Sequence, residues 1–170
     1  RYEGKLLIKP SKGSIKNVKK KIYHTIKSNR TIKTENLIRR LNPIIRGWAN
    51  YHKHMVSSKV FSKIDNDIFW MLWSWALRRH PQKGKRWVKR KYFKTLCKRN
   101  WVFAGKSKEG KMVPLFYMHQ VKIERYVKIK RGANPFDPEW EPYFEKRLDR
   151  IMRSSLKEYN LLRRIWKSQN

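Results

Sequence analysis

Apolar residues recur at helical spacing in the first part of the chain. From Ser14 onward they follow one another at intervals of three or four residues, which places them on one face of a helix. These residues are Ile15, Val18, Ile22 and Ile26. Because lysines fill most of the intervening positions, the segment predicts a basic amphipathic helix.

A second helix is predicted from Thr34, whose side chain can cap its first turn. Its apolar positions again step by three or four residues as far as Tyr51. Pro43 lies inside this pattern and lacks the backbone donor that a helix interior needs. We therefore expect a kink or a break near Asn42.

A third helix is predicted from a cap at Ser57 or Ser58 to a stop at His80 and Pro81. It contains the longest apolar stretch of the chain, residues 68–77, which is half the ~20 residues that a membrane-spanning helix requires. Three helices joined by short polar loops predict a small bundle. Four tryptophans lie on or beside the apolar stripes, and we expect them in its core. They are Trp48, Trp70, Trp73 and Trp75.

The segments on either side of the bundle have β character. Residues 3–10 predict a short strand that ends at a proline. Residues 112–116 and 121–129 predict one or two further strands, and a final helix is predicted from near Pro142 to Trp166. The predicted fold is mainly α, with a three-helix bundle followed by a smaller α+β basic region and a C-terminal helix.

Charge identifies the kind of partner. The 170 residues contain 44 Lys plus Arg against 12 Asp plus Glu, a formal net charge of +32. Such a chain repels itself unless a polyanion supplies the counter-charge, so we expect a nucleic acid and not a membrane. The charge is concentrated between Ile68 and Lys108, a run with thirteen basic residues and no acid. For three aromatic residues of this run, the sequence favours neither packing in the core nor stacking on nucleic-acid bases. They are Trp87, Tyr92 and Trp101.

The sequence contains no pattern typical of an active site. One cysteine and five scattered histidines do not predict a zinc site. Asp65 and Asp67 are only two residues apart, but they point apart on a helix, so we interpret them as ion-paired or solvated. No Gly-rich phosphate loop or nucleophile elbow is present. We expect no catalytic residue, metal or cofactor in this segment. Cys97 cannot form an internal disulfide, which fits a reducing cytosol.

Three motifs in a fixed order carry a family resemblance. They are Leu41-Asn-Pro-Ile-Ile-Arg-Gly-Trp-Ala-Asn-Tyr-His52, Trp75-Ala-Leu-Arg-Arg-His-Pro81 and Lys85-Arg-Trp-Val-Lys-Arg-Lys-Tyr-Phe93. Together they closely resemble the maturase-specific region of group II intron reverse transcriptases. The resemblance spans about residues 37 to 93 and keeps the spacing of that family.

The flanking regions extend the resemblance. The first predicted helix is similar to the first helix of the family's thumb, and residues 127–140 with the closing basic helix are similar to its DNA-binding region. The resemblance implies that residues 1–13 end the palm and link it to the thumb, that 14–105 form the thumb or maturase (X) domain, and that 106–170 bind DNA. Because the chain opens with Arg1 and not with Met, we expect a segment of a longer protein.

The resemblance also implies a function. The protein would bind group II intron RNA to assist splicing, and would position RNA and target DNA for reverse transcription and retrohoming of a mobile element. The parent protein would be an RNA-directed DNA polymerase, with its fingers and palm as further partners. Mg²⁺ is expected for the intron RNA and the parent polymerase, and none for this segment. We expect a ribonucleoprotein in the bacterial cytoplasm or in an organelle.

Candidate contact residues follow from the resemblance together with the distribution of charge. RNA contact is predicted for Lys16, Lys19, Lys20, Arg46, Arg78, Arg79, Lys85, Arg86, Lys89, Arg90 and Lys91. DNA contact is predicted for Lys122, Arg125, Lys128, Lys130, Arg131, Arg147 and Arg150.

Two other classes of protein stay open. A stand-alone structural RNA-binding protein of the ribosomal type is compatible with the charge, although eight tryptophans and a large aromatic bundle argue against it. A nuclease or a complete polymerase would need clustered carboxylates, whereas those of this chain are dispersed.

Overall fold

The computed structural model describes residues 7–96, 99–124, 129–155 and 168, and backbone only for 153–155. Contacts between residues divide the chain into two units, residues 1–125 and 126–170. The predicted domain boundary at residue 105 falls inside a strand of the first unit. The assignment of 14–105 to a thumb and of 106–170 to DNA binding stays a prediction.

Three helices of the first unit confirm the predicted bundle: α1 (Lys12–Ser28), α2 (Thr34–His52) and α3 (Ser58–Arg79). Helix α1 begins two residues before Ser14, because the hydroxyl of Ser11 caps it by accepting a hydrogen bond of 3.1 Å from the Ser14 backbone N–H. Thr34 is the first residue of α2 and not its cap. Helix α3 ends at Arg79 with His80 as its C-cap, which confirms the predicted stop at His80 and Pro81.

Helix α2 is continuous across Pro43, so the expectation of a break near Asn42 is wrong, and the alternative expectation of a kink stays a prediction. Leu41 and Ile45, one turn apart on either side of the proline, are both fully buried. The Asn42 side chain accepts a hydrogen bond from the Phe116 backbone N–H (2.8 Å) and donates one to the Pro114 carbonyl (3.2 Å). Tertiary packing on both sides of the proline thus keeps the helix continuous.

The core of the bundle uses the predicted apolar stripes. Val18, Ile22 and Ile26 of α1 are buried, and the stripes of α2 and α3 pack with them. Trp75 is buried, and Trp48 and Trp73 are half-buried.

The core prediction is wrong for Trp70, whose side chain is 56% exposed. At about 100° per residue, Trp70 lies about 200° from both Ile68 and Leu72, and therefore on the opposite side of α3 from that buried stripe. The two adjacent residues, Phe69 and Met71, are half-buried, whereas Trp70 is exposed because it lies farthest from the buried stripe of α3.

A short helix and a small sheet complete the first unit. Helix α4 (Lys85–Tyr92) leads directly into strand β1 (Phe93–Leu96), followed by β2 (Arg99–Lys106) and β3 (Met112–Pro114). The strands form an antiparallel sheet in the order β1-β2-β3, with Phe93 opposite Phe103 and Gly105 opposite Val113. A side chain at Gly105 would place its Cβ 2.6 Å from the backbone N of Glu35, so this glycine permits β2 to pack against α2.

Asp65 connects α3 to the segment after the sheet. Its carboxylate accepts hydrogen bonds of 3.0 Å from the backbone N–H groups of Met118 and His119, at a 3₁₀ turn over Met118–Gln120. Asp65 is buried, so its interpretation as ion-paired or solvated is wrong, whereas Asp67 does form an ion pair, with Lys19 at 2.7 Å. Burial raises the pKa of the Asp65 carboxyl, and the two N–H groups oppose that shift.

The second unit contains a 3₁₀ turn at Pro138–Trp140 and helix α5 (Glu141–Ser155). Asp137 caps the turn by accepting a hydrogen bond of 3.1 Å from the Glu139 backbone N–H. The Tyr143 hydroxyl of α5 accepts one of 2.9 Å from the backbone N–H of Lys130. The start of α5 confirms the predicted C-terminal helix, whose predicted end at Trp166 lies outside the described residues.

Strand β3 confirms the strand predicted within residues 112–116. The strands predicted at 3–10 and 121–129 are not found in their described parts, because residues 7–10, 121–124 and 129 are not in strands. The described elements are mainly helical with one small sheet, which confirms the predicted fold class.

Candidate nucleic-acid interface

Helix α4 exposes five basic residues. Val88 and Tyr92 are its buried residues, one turn apart, and they hold the helix against the rest of the unit. At about 100° per residue, Arg86 and Arg90 lie on the opposite face of the helix. The basic residues of α4 are all exposed. We call this set the α4 surface: Lys85, Arg86, Lys89, Arg90 and Lys91.

Among the described residues, no carboxylate lies within ion-pair distance of the α4 surface. Two of its lysines lie over aromatic rings instead. The Lys89 Nζ atom is 4.1 Å from the ring centroid of Trp101, and the Lys91 Nζ atom is 4.7 Å from that of Trp87. A cation–π contact leaves the ammonium charge in place. The α4 surface therefore keeps its positive charge for an external anion.

The aromatics near α4 divide between core and surface. Tyr92 is buried, and its hydroxyl hydrogen-bonds with Nε2 of His80 at 2.7 Å. Trp87 is half-buried. Trp101 is 40% exposed, and its backbone φ of +62° is a left-handed conformation that is uncommon for a bulky residue. The Trp101 ring centroid lies 5.8 Å from that of Trp73. Its base-stacking role stays open.

Positive charge near α4 acts on His80. Burial lowers the pKa of this imidazole, and the nearby charges of Lys91, Arg79 and Lys83 lower it further. Nε2 of this imidazole hydrogen-bonds with the Tyr92 hydroxyl on the buried side of α4.

The candidate residues of α1 have two different environments. Lys16 and Lys20 are exposed, one turn apart, on the face opposite the buried stripe. Lys19 is half-buried, and its ammonium pairs with Asp67 of α3. Lys16 and Lys20 are therefore available to a ligand, whereas Lys19 already has a partner.

Two adjacent arginines at the end of α3 also differ. Arg78 is exposed. The Arg79 guanidinium donates hydrogen bonds to the backbone carbonyls of Thr31 (3.1 Å) and Ile32 and lies over the Trp75 ring, with 5.1 Å from its Cζ to the ring centroid. Arg79 thus ties α3 to the loop between α1 and α2. Arg46 of α2 is exposed and lies over the Phe116 ring at 4.9 Å.

A groove of about 770 Å³ runs between α1 and α3. We call it the α1–α3 groove. One wall carries residues spaced four apart on α1, and the other carries the outward face of α3 around Trp70. Its aromatic residues are Tyr23, Trp70 and Trp75. Its charged residues are Lys19, Lys27, Arg30, Arg78, Arg79 and Asp67.

Sequence reasoning did not assign four residues of this groove to a binding site: Tyr23, Lys27, Arg30 and Trp70. The sequence did contain one signal, since Lys19, Tyr23 and Lys27 recur every four residues and therefore share a face of α1. Nothing in the sequence indicated that α3 would present Trp70 to the same space.

The candidate DNA-contact residues belong to both units. Lys122 is exposed in the first unit. In the second unit Lys130, Arg131 and Arg150 are exposed, and Arg147 is half-buried. Arg125 and Lys128 lie outside the described residues. Exposure alone does not show DNA contact, so the DNA-binding role of these residues stays a prediction.

The described residues contain no group of three or more His, Cys, Asp or Glu side chains that could hold a metal ion. Within the same part of the chain, no helix combines the length and the apolar character needed to cross a membrane.

The family model of the group II intron, maturase-specific domain matches residues 15–93. The match begins in α1, includes α2, α3 and α4, and ends at Phe93, the first residue of β1. It covers slightly less than half of the 170 residues. No curated protein matches the chain. The α4 surface and the residues of the α1–α3 groove all lie within the matched range.

Proposed function

We propose that this chain, whose residues 15–93 match the group II intron maturase-specific domain, binds group II intron RNA and helps that RNA to reach its splicing-competent fold. The protein supplies positive charge and a complementary surface. The chemistry of splicing belongs to the RNA and the Mg²⁺ that the RNA binds, and no residue of this chain takes part in a bond-forming step.

The observation that carries the proposal is the α4 surface. Five exposed cations lie on a helix of eight residues, and no described carboxylate pairs with any of them. An α-helix of this length is about 12 Å long, so the charge is dense along its axis. Phosphates neutralised by such cations release their counterions, which favours binding. Helical RNA is bound through its phosphates, 2′-hydroxyl groups and wide minor groove, and a rigid basic helix suits that shape.

The finer parts of the proposal concern the parent protein. We propose that the bundle is the thumb of a reverse transcriptase, that its exposed residues Lys16, Lys20 and Arg46 contact RNA, and that fingers and palm are its partners. Target DNA would be bound during retrohoming by Lys122, Arg125, Lys128, Lys130, Arg131, Arg147 and Arg150. The mainly helical bundle and the exposed cations of both units support these assignments.

Filter binding across a range of salt concentrations tests the proposal. The probes are a group II intron RNA and a scrambled duplex of equal length. Replacing Arg86, Lys89, Arg90 and Lys91 by Ala should weaken binding of the intron RNA and reduce the slope of log affinity against log salt. The reduction is up to ~0.9 for each lost phosphate contact in a duplex.

A matched variant removes the same charge elsewhere. Lys59, Lys63, Lys106 and Lys108 are exposed lysines outside α4, and their replacement by Ala should leave more of the affinity and slope intact. Equal losses in both variants would mean that only net charge matters. Equal binding of the intron RNA and the scrambled duplex would favour a generic basic protein of the ribosomal type.

A further inference from the structure

Two aromatic side chains that line the α1–α3 groove, Trp70 and Tyr23, are exposed to solvent. Trp70 is 56% exposed and Tyr23 is 43% exposed, whereas most large apolar side chains of the three helices are buried or packed against the core. Leaving an indole in water forgoes the free energy gained by burying its apolar area. Single exposed aromatics are common on proteins, but these two lie in one groove between the same pair of helices.

The position of each ring follows from its helix. Tyr23 lies one turn after Lys19 and one turn before Lys27 on the same face of α1. On α3, Trp70 is followed one and two turns later by Ser74 and Arg78, which also line the groove. Each wall therefore carries an aromatic ring with a cation on the same helical face.

The charges of the groove point to an anion. The charge of Lys19 is offset by an ion pair with Asp67, the acid among the residues that line the groove. Arg79 donates hydrogen bonds to two backbone carbonyls. This leaves Lys27, Arg30 and Arg78, which are exposed and have no ion pair among the described residues. The Lys27 Nζ atom lies 5.6 Å from the Tyr23 ring centroid, so the cation and the ring are adjacent.

We infer that the α1–α3 groove binds a single-stranded segment of RNA, with one unpaired base stacked on Trp70 and the neighbouring phosphates at Arg30 and Arg78. The groove encloses about 770 Å³, within the range of sites that hold small organic ligands. Bases inside a duplex are stacked on one another and cannot reach the ring, whereas unpaired bases can. The inference rests on the proposed function for the identity of the polymer as RNA.

The test uses the full 170-residue chain and two labelled RNA probes. One is a hairpin with a single-stranded loop of about ten nucleotides, and the other is a blunt duplex with the same number of phosphates. Trp70→Leu should weaken binding of the hairpin about 5- to 100-fold, because a base–aromatic stack is lost. The salt slope and the binding of the duplex should not change, since no cation is removed.

Two control variants test whether the loss of hairpin binding is specific to an aromatic ring in the groove. Trp70→Phe retains an aromatic face and should recover most of the hairpin affinity. Tyr51→Leu removes an aromatic side chain that is 72% exposed but does not line the groove, and it should leave hairpin binding unchanged. Thermal unfolding of each variant checks that the fold is intact, as expected for changes at exposed positions.

Three outcomes would overturn the inference. Unchanged hairpin binding by Trp70→Leu would exclude base stacking in the groove. An equal loss for hairpin and duplex would assign Trp70 a structural role. Binding of a polyglutamate peptide that depends on Trp70, with hairpin binding unchanged, would assign the groove to an acidic protein segment. In each case the α4 substitutions still test the proposed function independently, through the salt slope on intron RNA.

Discussion

The α4 surface and the α1–α3 groove each contain five basic residues, but those residues contact different things. On α4 all five are exposed and none pairs with a described carboxylate. In the groove, Lys19 pairs with Asp67 and Arg79 binds two backbone carbonyls and the Trp75 ring.

The difference shows that basic residues of one predicted set lie in two different environments. Lys19 and Arg79 stand beside Lys20 and Arg78 in the sequence, and all four were predicted to contact RNA. The structure gives Lys19 and Arg79 partners within the protein, and leaves the side chains of Lys20 and Arg78 exposed. Charge density along a sequence therefore overestimates the number of cations available to a ligand.

The largest difference between the two environments is expected in the free energy of unfolding, when the adjacent residues Arg78 and Arg79 are each replaced. Arg79→Ala removes two charge-assisted hydrogen bonds and a cation–π contact, and should lower the free energy of unfolding by about 2 kcal/mol. Arg78→Ala removes an exposed side chain and should change it by less than about 0.5 kcal/mol. Urea unfolding measures both values.

Binding should show the reverse order. Arg78→Ala should weaken RNA binding and reduce its salt slope, because an available cation is lost. If both variants lose equal stability and equal affinity, the contacts of Arg79 do not set it apart from Arg78, and the comparison fails.

A smaller effect is expected from Asp67, the acid of the groove. Asp67→Asn removes a negative charge and frees Lys19, so affinity for single-stranded RNA should rise about threefold at low salt, and less at high salt. Glu109→Gln is the matched control, because it removes the same charge from the exposed pair with Lys111 outside the groove. An equal rise in both variants would show that net charge alone is responsible.

The sequence predicted helix positions well because their signal is local. The stripe from Ile15 to Ile26 and the stop at His80 needed only helical spacing and capping. The continuity of α2 across Pro43 was not predictable, since it depends on contacts of Asn42 with residues more than seventy positions away. The short strands β1 and β2 were missed for a similar reason, because basic residues interrupt their pattern and the pairing defines them.

The residues of the candidate site were likewise predictable where the signal lies within one helix, and not where it depends on distant contacts. The exposure of Arg86 and Arg90 follows from their helical positions opposite Val88 and Tyr92. The groove requires two helices, so neither Trp70 nor Tyr23 could be assigned to it from one stripe. Asp65 was misinterpreted because its partners, the N–H groups of Met118 and His119, belong to a distant turn.

The smallest expected effect concerns two histidines, one that contacts α1 and one that contacts α4. His52 hydrogen-bonds through Nε2 with the Ser14 hydroxyl of α1 at 3.2 Å, and His80 with Tyr92 of α4. Burial lowers the pKa of both imidazoles. Because the unfolded chain then binds a proton more readily, the stability linked to each histidine is present above about pH 6.5 and is lost as the pH falls below it.

Salt should distinguish the two histidines. The nearby charges of Lys91, Arg79 and Lys83 contribute to the low pKa of His80, whereas burial alone lowers that of His52. Raising the salt concentration to about 1 M shortens the Debye length to about 3 Å, so the pKa of His80 should rise and that of His52 should stay constant. NMR titration of the two rings measures this, with Lys91→Ala as a variant that should raise the pKa of His80 without added salt. Equal responses would mean that the charges of Lys91, Arg79 and Lys83 do not act on His80, and that burial alone sets its pKa as it does for His52.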